Sequence, residues 1–396
     1  NRFIMKHAVY IGNFSFPLGN AAGKRVYANG KILSENGYEV LFIGLDGNIS
    51  SETPIQETKN TFDDFIYYNL PDPASLSARM NFIKTYRTVT RLLDDIYPKP
   101  DLIIYYGSLG LSIIDDMLIQ YCRKRKIKIV SDCVDWLTVK TDNPFFDFFK
   151  WLDTTYRNIY VNKRADGVIA ISDYLTRYYS NAGCHTVTIP PLSPVKNHRN
   201  SLNTENQGKI VISYAGIPFR KGTLIRDLNT LKDRIDKTVL LLYSAWKKGC
   251  TFTFNIFGFT RDDFVTALPS YIEYIDKMGD SVHFFGMMSH EKVTDSLMKS
   301  DFTILIRDVN RDTTAGFPTK ISESISYGTP VITTKTSDLE KYISEGDNGF
   351  FLDIENEISA VDKLSSILKI DRNSIFEMKK RCMESDLFYY RNYSSR

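Results

Sequence analysis

The chain has 396 residues and a formal net charge of only +3, which is long enough for two domains that each bury a core and gives no global reason to expect a polyanionic partner. Its five cysteines are scattered without a CxxC pair, which argues against a disulfide framework or a zinc site and fits a reducing cytosol. No apolar run reaches the roughly 18 residues that a membrane span needs, and no signal peptide is recognisable, so we expect a cytoplasmic protein.

The first half of the chain alternates apolar runs with helical patterns. Helical spacing of apolar residues occurs at 23–36 and 111–124. Short apolar runs that predict strands occupy residues 7–12, 39–44, 102–106, 127–131 and 167–171. Strands that alternate with helices predict βαβ units and a parallel sheet.

A polar stretch without apolar periodicity, residues 194–209, predicts an interdomain linker. The alternation then restarts, with predicted strands at 210–214, 252–257, 282–285, 302–306 and 331–333. The predicted fold class is therefore α/β, with two Rossmann-like doubly wound domains at 1–195 and 196–375. Ligands of such folds lie outside the carboxyl ends of the strands, which for two facing domains means the cleft between them.

A glycine turn, a helix and a helix stop follow one another in the segment GFPTKISESISYGTP, residues 316–330. The start of a helix offers unpaired N–H groups and the positive end of its dipole to a phosphate. Glu323 follows about one and a half turns later and can accept hydrogen bonds from a vicinal diol such as a ribose. We therefore expect this segment to hold a nucleotide diphosphate through Gly316, Phe317, Pro318, Thr319, Lys320 and Glu323.

A second glycine turn presents two cations after the predicted strand 210–214. The segment SYAGIPFRKG contains Gly216 and the adjacent Arg220 and Lys221. A diphosphate needs such counterions, and its ability to leave increases when they neutralise it. A solvated Arg-Lys pair on a turn is the simpler alternative, but the nearby Glu323 segment favours diphosphate binding.

The segment GFPTKISESISYGTPVI resembles the donor-site signature of the family 4 (group 1) retaining glycosyltransferases, which have the GT-B fold. In that signature two glutamates flank seven residues, and the second matches Glu323. The first falls on Ala315, so this chain departs from the pattern where the family contacts the donor sugar. The loop with Arg220 and Lys221 resembles the family's Gly-Arg and Lys-Gly loop, with Ile217 in place of the arginine.

The resemblance implies a metal-independent transferase that moves a sugar from a nucleotide-diphospho-sugar, UDP- or GDP-linked, to an acceptor hydroxyl with retention and without a cofactor. Arg220 and Lys221 would neutralise the diphosphate, and the diphosphate itself would help to deprotonate the acceptor. Gly19 and Asn20, in the loop after the first strand, would line the cleft from the N-terminal domain. The family's habit of a chain crossing, together with four aromatic residues in 386–393, implies that a helix at about 376–396 packs back on that domain.

Two carboxylates, Asp132 and Asp135, follow the predicted strand 127–131. A carboxylate at a strand's carboxyl end can orient or deprotonate an acceptor hydroxyl, although one Asp can equally cap the following turn. We assign the catalytic role to Asp135. Four adjacent Asp pairs, including Asp115–Asp116, are interpreted as solvated faces, and without an Asp-x-Asp motif no metal site is predicted.

Basic and aromatic residues cluster in the N-terminal half. Lys84, Arg87 and Arg91 share one face of a predicted helix, residues 123–126 are all basic, and aromatic residues crowd 145–151. Such patches could rest at the inner face of an anionic membrane that presents a lipid-linked glycan acceptor. The simpler interpretation is an ordinary helix surface with its aromatic side chains packed inside; nucleic-acid binding is not predicted.

The function predicted from these patterns is glycosyl transfer in the assembly of a bacterial surface polysaccharide or glycoconjugate. A sugar-nucleotide 2-epimerase is a rival, but it would need acid–base carboxylates and histidines at the donor's C2. A catalytically silent nucleotide- or glycan-binding subunit of a partner transferase is a second rival, and Ala315 is the feature that favours it.

Overall fold

The computed structural model describes residues 5–73, 79, 81–136, 144–194 and 208–396, with the side chains of 144–146 excepted. The chain divides into two units. The N-terminal unit comprises 1–195, 314–317 and 388–396, and the C-terminal unit comprises 196–313 and 318–387. Each unit contains one sheet with helices packed against it.

The sheet of the N-terminal unit has the strand order β3-β4-β2-β1-β5-β6-β7-β8. Its neighbouring strands are parallel except for the β3–β4 pair. The strands are β1 Lys6–Gly12, β2 Tyr38–Asp46, β3 Asn60–Phe62, β4 Phe65–Pro71, β5 Leu102–Tyr106, β6 Lys128–Cys133, β7 Gly167–Ala170 and β8 Thr186–Thr188. The helices are α1 Ala21–Glu35, α2 Phe82–Asp95, α3 Ser112–Arg125, α4 Pro144–Tyr156 with a π-helical continuation Arg157–Val161, and α5 Asp173–Asn181.

Both faces of this sheet are covered, as the nearly continuous apolar runs predict. Side chains alternate across a strand, so Val9 and Ile11 of β1 enter one core while Ala8 and Tyr10 enter the other. Asn20 begins α1, because its side chain accepts a hydrogen bond from the Gly23 amide at 2.8 Å. Because β1, β5 and β6 pair in parallel, their carboxyl ends lie side by side at one edge of the sheet.

The sheet of the C-terminal unit is wholly parallel and has the order β11-β10-β9-β12-β13-β14. Its strands are β9 Ile210–Ala215, β10 Phe252–Phe257, β11 Val282–Gly286, β12 Phe302–Leu305, β13 Val331–Thr333 and β14 Gly349–Phe351. Its helices are α6 Ile235–Lys247, α7 Arg261–Ala267, α8 Ile272–Met278, α9 His290–Lys299, α11 Thr319–Ser326, α12 Glu357–Ile367 and α13 Arg372–Glu384, and α10 Arg311–Ala315 runs from this unit into the N-terminal one.

The apolar runs identified in the sequence all form strands. Four strands were not predicted, namely β3, β4, β8 and β14. Three of them have only three residues each, and β4 carries partly exposed tyrosines at its centre, so none shows a long apolar run. The predicted linker lies largely outside the described residues, since 195–207 are not described.

The chain end differs from the predicted continuous helix. Helix α13 ends at Glu384 and remains in the C-terminal unit, and Asp386 takes a positive φ of 47° that interrupts helical geometry. Only residues 388–396 join the N-terminal unit, where Tyr390 and Tyr393 pack against Ala28 of α1. Ser193 extends this contact through its amide, which donates to the Phe388 carbonyl at 2.7 Å.

Glu35 at the end of α1 fastens this C-terminal tail. Its carboxylate accepts hydrogen bonds from Ser394 Oγ at 2.5 Å, Tyr390 Oη at 3.0 Å and Arg391 Nε at 2.7 Å. Burial on its own would raise the pKa of Glu35, but these three donors hold that pKa below its ordinary value. The tail is therefore bound most tightly when Glu35 is ionised.

Replacing Glu35 by Gln is expected to lower the free energy of unfolding of the N-terminal unit by about 1 kcal/mol at pH 7. The reason is that a neutral amide accepts weaker hydrogen bonds than a carboxylate does. Because the pKa of Glu35 is lower in the folded state, its ionisation stabilises the fold at pH values above its unfolded-state pKa of about 4.3. This stabilisation is lost as the pH falls through the folded-state pKa. The difference between the two proteins in urea titrations should thus shrink below about pH 4. Glu52→Gln, at an exposed position, is the control; equal losses in both variants would contradict the role of Glu35.

Candidate active site

A pocket of about 480 Å³ opens in the C-terminal unit between β9, β12 and the helices α9 and α11. It brings together Lys320 and Glu323, both predicted from the sequence, with His290 at the start of α9. Its other lining residues are Ser213, Tyr214, Ala215, Val293, Thr294, Leu297, Thr303, Ile304, Leu305, Ile321 and Tyr327. The pocket therefore combines an apolar floor with one carboxylate and one ammonium group.

Beside this pocket, Asp233 holds two cations. Arg307, just after β12, places Nη2 at 2.7 Å from Asp233 Oδ1, and Lys320 Nζ pairs with Asp233 Oδ2. Tyr214 donates to the same carboxylate at 3.0 Å. Burial alone would raise the pKa of Asp233, but Arg307 and Lys320 hold it well below its ordinary value. Arg307, Lys320 and Asp233 together carry one net positive charge, which the Glu323 carboxylate in the pocket balances.

Gly216 makes room for this ammonium group. A Cβ at residue 216 would lie 2.2 Å from Lys320 Nζ and 2.9 Å from Tyr214 Oη. Any larger residue at this position must displace Lys320. Packing against Lys320 therefore favours glycine at position 216, in the turn that the sequence predicts. Gly216 and Lys320 are in this way parts of one arrangement.

Arg220 and Lys221 lie elsewhere on the unit's surface. Both are exposed, and the Lys221 side chain is 85% exposed with its Nζ 3.8 Å from Asp263. Neither is among the described residues that line the pocket. Arg307 and Asp233, in contrast, are not recognisable in the sequence, because the partner of each lies 74 residues away.

The loop before α11 is buried. Pro318 is the N-cap of α11, and Thr319 is the first helical residue. Gly316 and Phe317 are buried, and Phe317 packs against Phe388 with ring centroids 6.0 Å apart. Ala315, where the resembling family has its first glutamate, is fully buried, and its carbonyl accepts from the Ser172 hydroxyl at 2.6 Å.

A second pocket, also of about 480 Å³, lies at the carboxyl edge of the N-terminal sheet. Asn13, Tyr106 and Gly107 line it beside Asp135 and Arg157; the others are Tyr105, Ser131, Asp132, Cys133, Val134 and Asn162. Arg157 Nη2 lies 3.4 Å from Asp135 Oδ1, and both side chains remain partly exposed. Burial opposes the charge on Arg157, but Asp135 raises the pKa of its guanidinium.

Asp132 and Asp135 have different surroundings. Asp132 is buried, and its carboxylate accepts from Arg25 Nη2 at 2.7 Å and Nε at 3.1 Å, from Asn29 Nδ2 at 3.3 Å, and from Tyr10 Oη. Arg25 also donates to the carbonyls of residues 189 and 190. Asp132 is thus part of a structural network that joins α1 to β6, whereas Asp135 keeps an open side toward the pocket.

Gly19 and Asn20 are not among the described residues of either pocket. Asn20 caps α1, and a Cβ at Gly19 would lie 2.6 Å from Ser15 Oγ. Their local role is therefore to shape the loop between β1 and α1.

The packed interpretation of the α4 aromatic residues is wrong for Phe148, Phe149 and Trp151, which are 54%, 47% and 47% exposed. Lys84, Arg87 and Arg91 are exposed on α2 as predicted. No helix within the described residues is both long and apolar enough to cross a membrane.

The Asp115–Asp116 pair is not a solvated face. Both residues are buried, and burial raises the pKa of Asp115 well above its ordinary value. Among the described residues, no group of three or more His, Cys, Asp or Glu side chains is placed to hold a metal ion.

Comparisons with known proteins place these observations in context. Residues 274–385, which include His290, Lys320 and Glu323, match the family model of group 1 glycosyl transferases. No curated protein sequence matches the chain. The matched segment therefore contains eleven of the fourteen residues that line the C-terminal pocket.

Several solved structures are similar over nearly the whole chain. Sucrose-phosphate synthase from Thermosynechococcus elongatus is 15% identical with a TM-score of 0.68, and the match covers 98% of this chain and 96% of that one. The catalytic domain of starch synthase IV from Arabidopsis thaliana, bound to ADP and acarbose, is 13% identical with a TM-score of 0.67 over 98% and 97%. HepE from Anabaena in complex with UDP is 14% identical with a TM-score of 0.60 over 99% and 98%. These similarities confirm the predicted two-domain α/β fold class of GT-B type.

Proposed function

We propose that this chain is a retaining glycosyltransferase that moves a sugar from a UDP- or GDP-linked donor to an acceptor hydroxyl. The observation that supports this most is the C-terminal pocket, which joins Glu323, Lys320 and His290 within the segment that resembles group 1 glycosyl transferases. Starch synthase IV and HepE, which share the fold, bind ADP and UDP. We assign the chain to surface polysaccharide or glycoconjugate assembly in the cytoplasm, at the inner face of the membrane.

The proposed donor site uses each charge of the C-terminal pocket. Glu323 accepts hydrogen bonds from the ribose hydroxyls, and His290 borders the base. Lys320 and Arg307 neutralise the diphosphate while Asp233 holds both in position. Arg220 and Lys221 form a second, exposed pair that can approach the diphosphate from the loop after β9. Negative charge grows on the diphosphate as the glycosidic bond breaks, so these cations stabilise the transition state more than the bound donor.

The proposed acceptor site is the N-terminal pocket. Asp135 accepts a hydrogen bond from the acceptor hydroxyl and thereby orients it, while Arg157 holds the carboxylate in position. A retaining reaction, which the family resemblance implies, leaves the departing diphosphate to take the hydroxyl proton. Asp135 is accordingly an orienting residue with a direct contact to the acceptor.

Replacing Glu323 by Ala is expected to weaken UDP or GDP binding by about 1.5–3 kcal/mol, the usual contribution of a hydrogen bond to a charged group. Calorimetric titration of both nucleotides measures this directly, and the far-UV spectrum checks that the fold survives. Glu291→Ala, at an exposed position on α9, is the matched control. Unchanged affinity in the Glu323 variant would remove this residue from the donor site, and wild-type protein that binds neither nucleotide would contradict the proposed donor.

Activity is expected to be independent of divalent metal, because lysine, arginine and a helix terminus can neutralise the diphosphate. Donor turnover should be unchanged after EDTA treatment and dialysis. Turnover that EDTA abolishes and Mn²⁺ or Mg²⁺ restores would contradict this mechanism.

A silent binding subunit is the second candidate function, and Ala315 is the observation that favours it. The buried methyl group cannot replace the carboxylate that the resembling family uses at this position. Slow hydrolysis of the donor without acceptor distinguishes the two functions, because a transferase hydrolyses it and a silent subunit does not.

A further inference from the structure

The helical segment 147–161, from α4 into its π-helical continuation, has an unusual surface. All of its exposed side chains are apolar or aromatic, with exposed fractions between 37% and 54%. They are Phe148, Phe149, Trp151, Leu152, Tyr156, Ile159 and Tyr160. We refer to these seven side chains as the aromatic face. Contiguous exposed apolar patches of this kind mark interaction sites.

The charged residues of the same segment point the other way. Asp153 accepts from the amide and the hydroxyl of Ser112 at 2.8 and 2.9 Å, at the start of α3. Arg157 pairs with Asp135, and burial lowers the pKa of Lys150. The helix thus reverses the usual arrangement of a surface helix, whose apolar stripe faces the core. Its polar stripe is used within the unit, and the aromatic face is exposed.

A cluster of cations continues the aromatic face at its C-terminal end. Tyr156 stacks on Tyr160 with ring centroids 5.4 Å apart, and the Arg164 guanidinium lies 5.0 Å from the Tyr160 ring centroid. Arg123 in turn donates to the Arg164 carbonyl at 2.8 Å. Arg123 begins the exposed basic run 123–126 at the end of α3.

The charge of this cluster is positive. Two of its members are paired, Arg164 with Asp116 and Arg125 with Asp94. The remaining residues of the run are Arg123, Lys124 and Lys126, all of which are cationic and exposed. An apolar face of Phe, Trp and Tyr that ends in such a cluster has the composition of a helix lying in a membrane interface.

We propose that the aromatic face and the basic run 123–126 dock this protein on an anionic lipid bilayer. A bilayer with anionic headgroups supplies both an apolar layer for the rings and negative charge for the cations. A second copy of this chain docked through the same surface would bring its positive cluster against this one, so that like charges would oppose each other.

The position of this surface is consistent with the acceptor chemistry. Arg157 lies in the same helical segment and lines the N-terminal pocket, so one helix, about 10 Å across, separates that pocket from the docked bilayer. This consequence rests on the proposed function, because it makes a lipid-linked acceptor the natural substrate. The docking itself needs neither donor nor acceptor.

Sedimentation with vesicles tests the docking. The protein should co-sediment with vesicles of phosphatidylglycerol and phosphatidylcholine and not with phosphatidylcholine alone. The triple variant Phe148→Ser, Trp151→Ser, Tyr160→Ser should lose at least tenfold in binding. The matched control is Leu224→Ser, Trp246→Ser, Ile358→Ser, three exposed apolar positions of the C-terminal unit, and it should bind as the wild type does.

The charge contribution is tested separately. Each of Arg123→Gln, Lys124→Gln and Lys126→Gln should weaken binding roughly fivefold at low salt, and the effect should fade as salt screens the surface potential. Trp151 provides a direct probe, since its emission should shift to the blue when vesicles are added, and the shift should be lost in Trp151→Phe.

Three results would overturn the proposal. They are full binding by the triple serine variant, equal binding to neutral vesicles, and a concentration-dependent dimer in light scattering that the triple serine variant abolishes without any vesicle binding. Nucleotide calorimetry without lipid is the independent check on donor binding, so failure of docking and failure of the proposed function give different outcomes.

Discussion

Replacing Lys320 by Met should lower kcat for sugar transfer by roughly ten- to a thousandfold, the range for losing one charge-stabilising donor. Its ammonium lies in the C-terminal pocket with Glu323 and is held by Asp233. Positioning by a buried carboxylate means that little reorganisation is needed when charge develops on the diphosphate. Methionine keeps most of the side-chain volume, so Gly216 and Tyr214 retain a neighbour of similar size.

Lys221→Met is the matched comparison, because it removes the same charge from the exposed position predicted in the sequence. We expect a smaller decrease in kcat for it, since its side chain is 85% exposed and charges in water interact weakly. Affinities for UDP and uridine should be measured side by side on both variants. If the cation acts on the diphosphate, its removal should weaken UDP binding far more than uridine binding. Equal losses for the two ligands would show that the cation does not contact the diphosphate. A larger kcat effect at Lys221 would return the leading role to the loop after β9.

The parts of this site that could be predicted are local in sequence. The glycine turn, the helix and Glu323 follow one another within the segment 316–330, and the buried strands are short apolar runs. Because turn chemistry and apolar runs act over a few residues, the sequence indicates them directly. The strand ends then indicate where ligands bind.

The parts that could not be predicted depend on contacts between distant residues. Arg307 meets Asp233 across 74 positions, and Arg25 meets Asp132 across 107. In the sequence alone, a charged residue looks like a solvated surface residue, because its distant partner meets it only in the folded chain. Burial in the folded chain is what makes such a pair matter, and burial of a single charge leaves no periodic signal.

The segment 147–161 shows a different limit. Its charged residues and its apolar residues each recur with helical spacing, so the sequence contains two stripes. Periodicity does not show which stripe faces the core. The general preference for an apolar interior predicts that the apolar stripe does, which is wrong here. Asp153 and Arg157 decide the orientation through Ser112 and Asp135, which come from other elements of the unit.

Replacing Asp132 by Asn should lower the free energy of unfolding of the N-terminal unit by about 3–5 kcal/mol. Loss of one partner of a buried ion pair leaves the other charge uncompensated, and this is the usual cost. Here that charge is the buried Arg25 guanidinium, which would keep only neutral acceptors: the amide oxygen at position 132 and the carbonyls of residues 189 and 190. Trp136, which lies close to Asp132 in sequence and is 9% exposed, reports unfolding of this unit by fluorescence once Trp151 and Trp246 are replaced by Phe.

Asp135→Asn is the matched variant, because it has the same substitution, a partner arginine and a place in the same pocket. Its pair with Arg157 is partly exposed, so we expect a loss of stability of at most about 1 kcal/mol. Its kcat should fall instead, because the acceptor hydroxyl loses the carboxylate that orients it. If Asp132→Asn remained stable but inactive while Asp135→Asn kept full activity, the two assignments would have to be exchanged. The double variant Arg25→Met, Asp132→Leu completes the test, since removing both charges should recover much of the stability that Asp132→Asn loses.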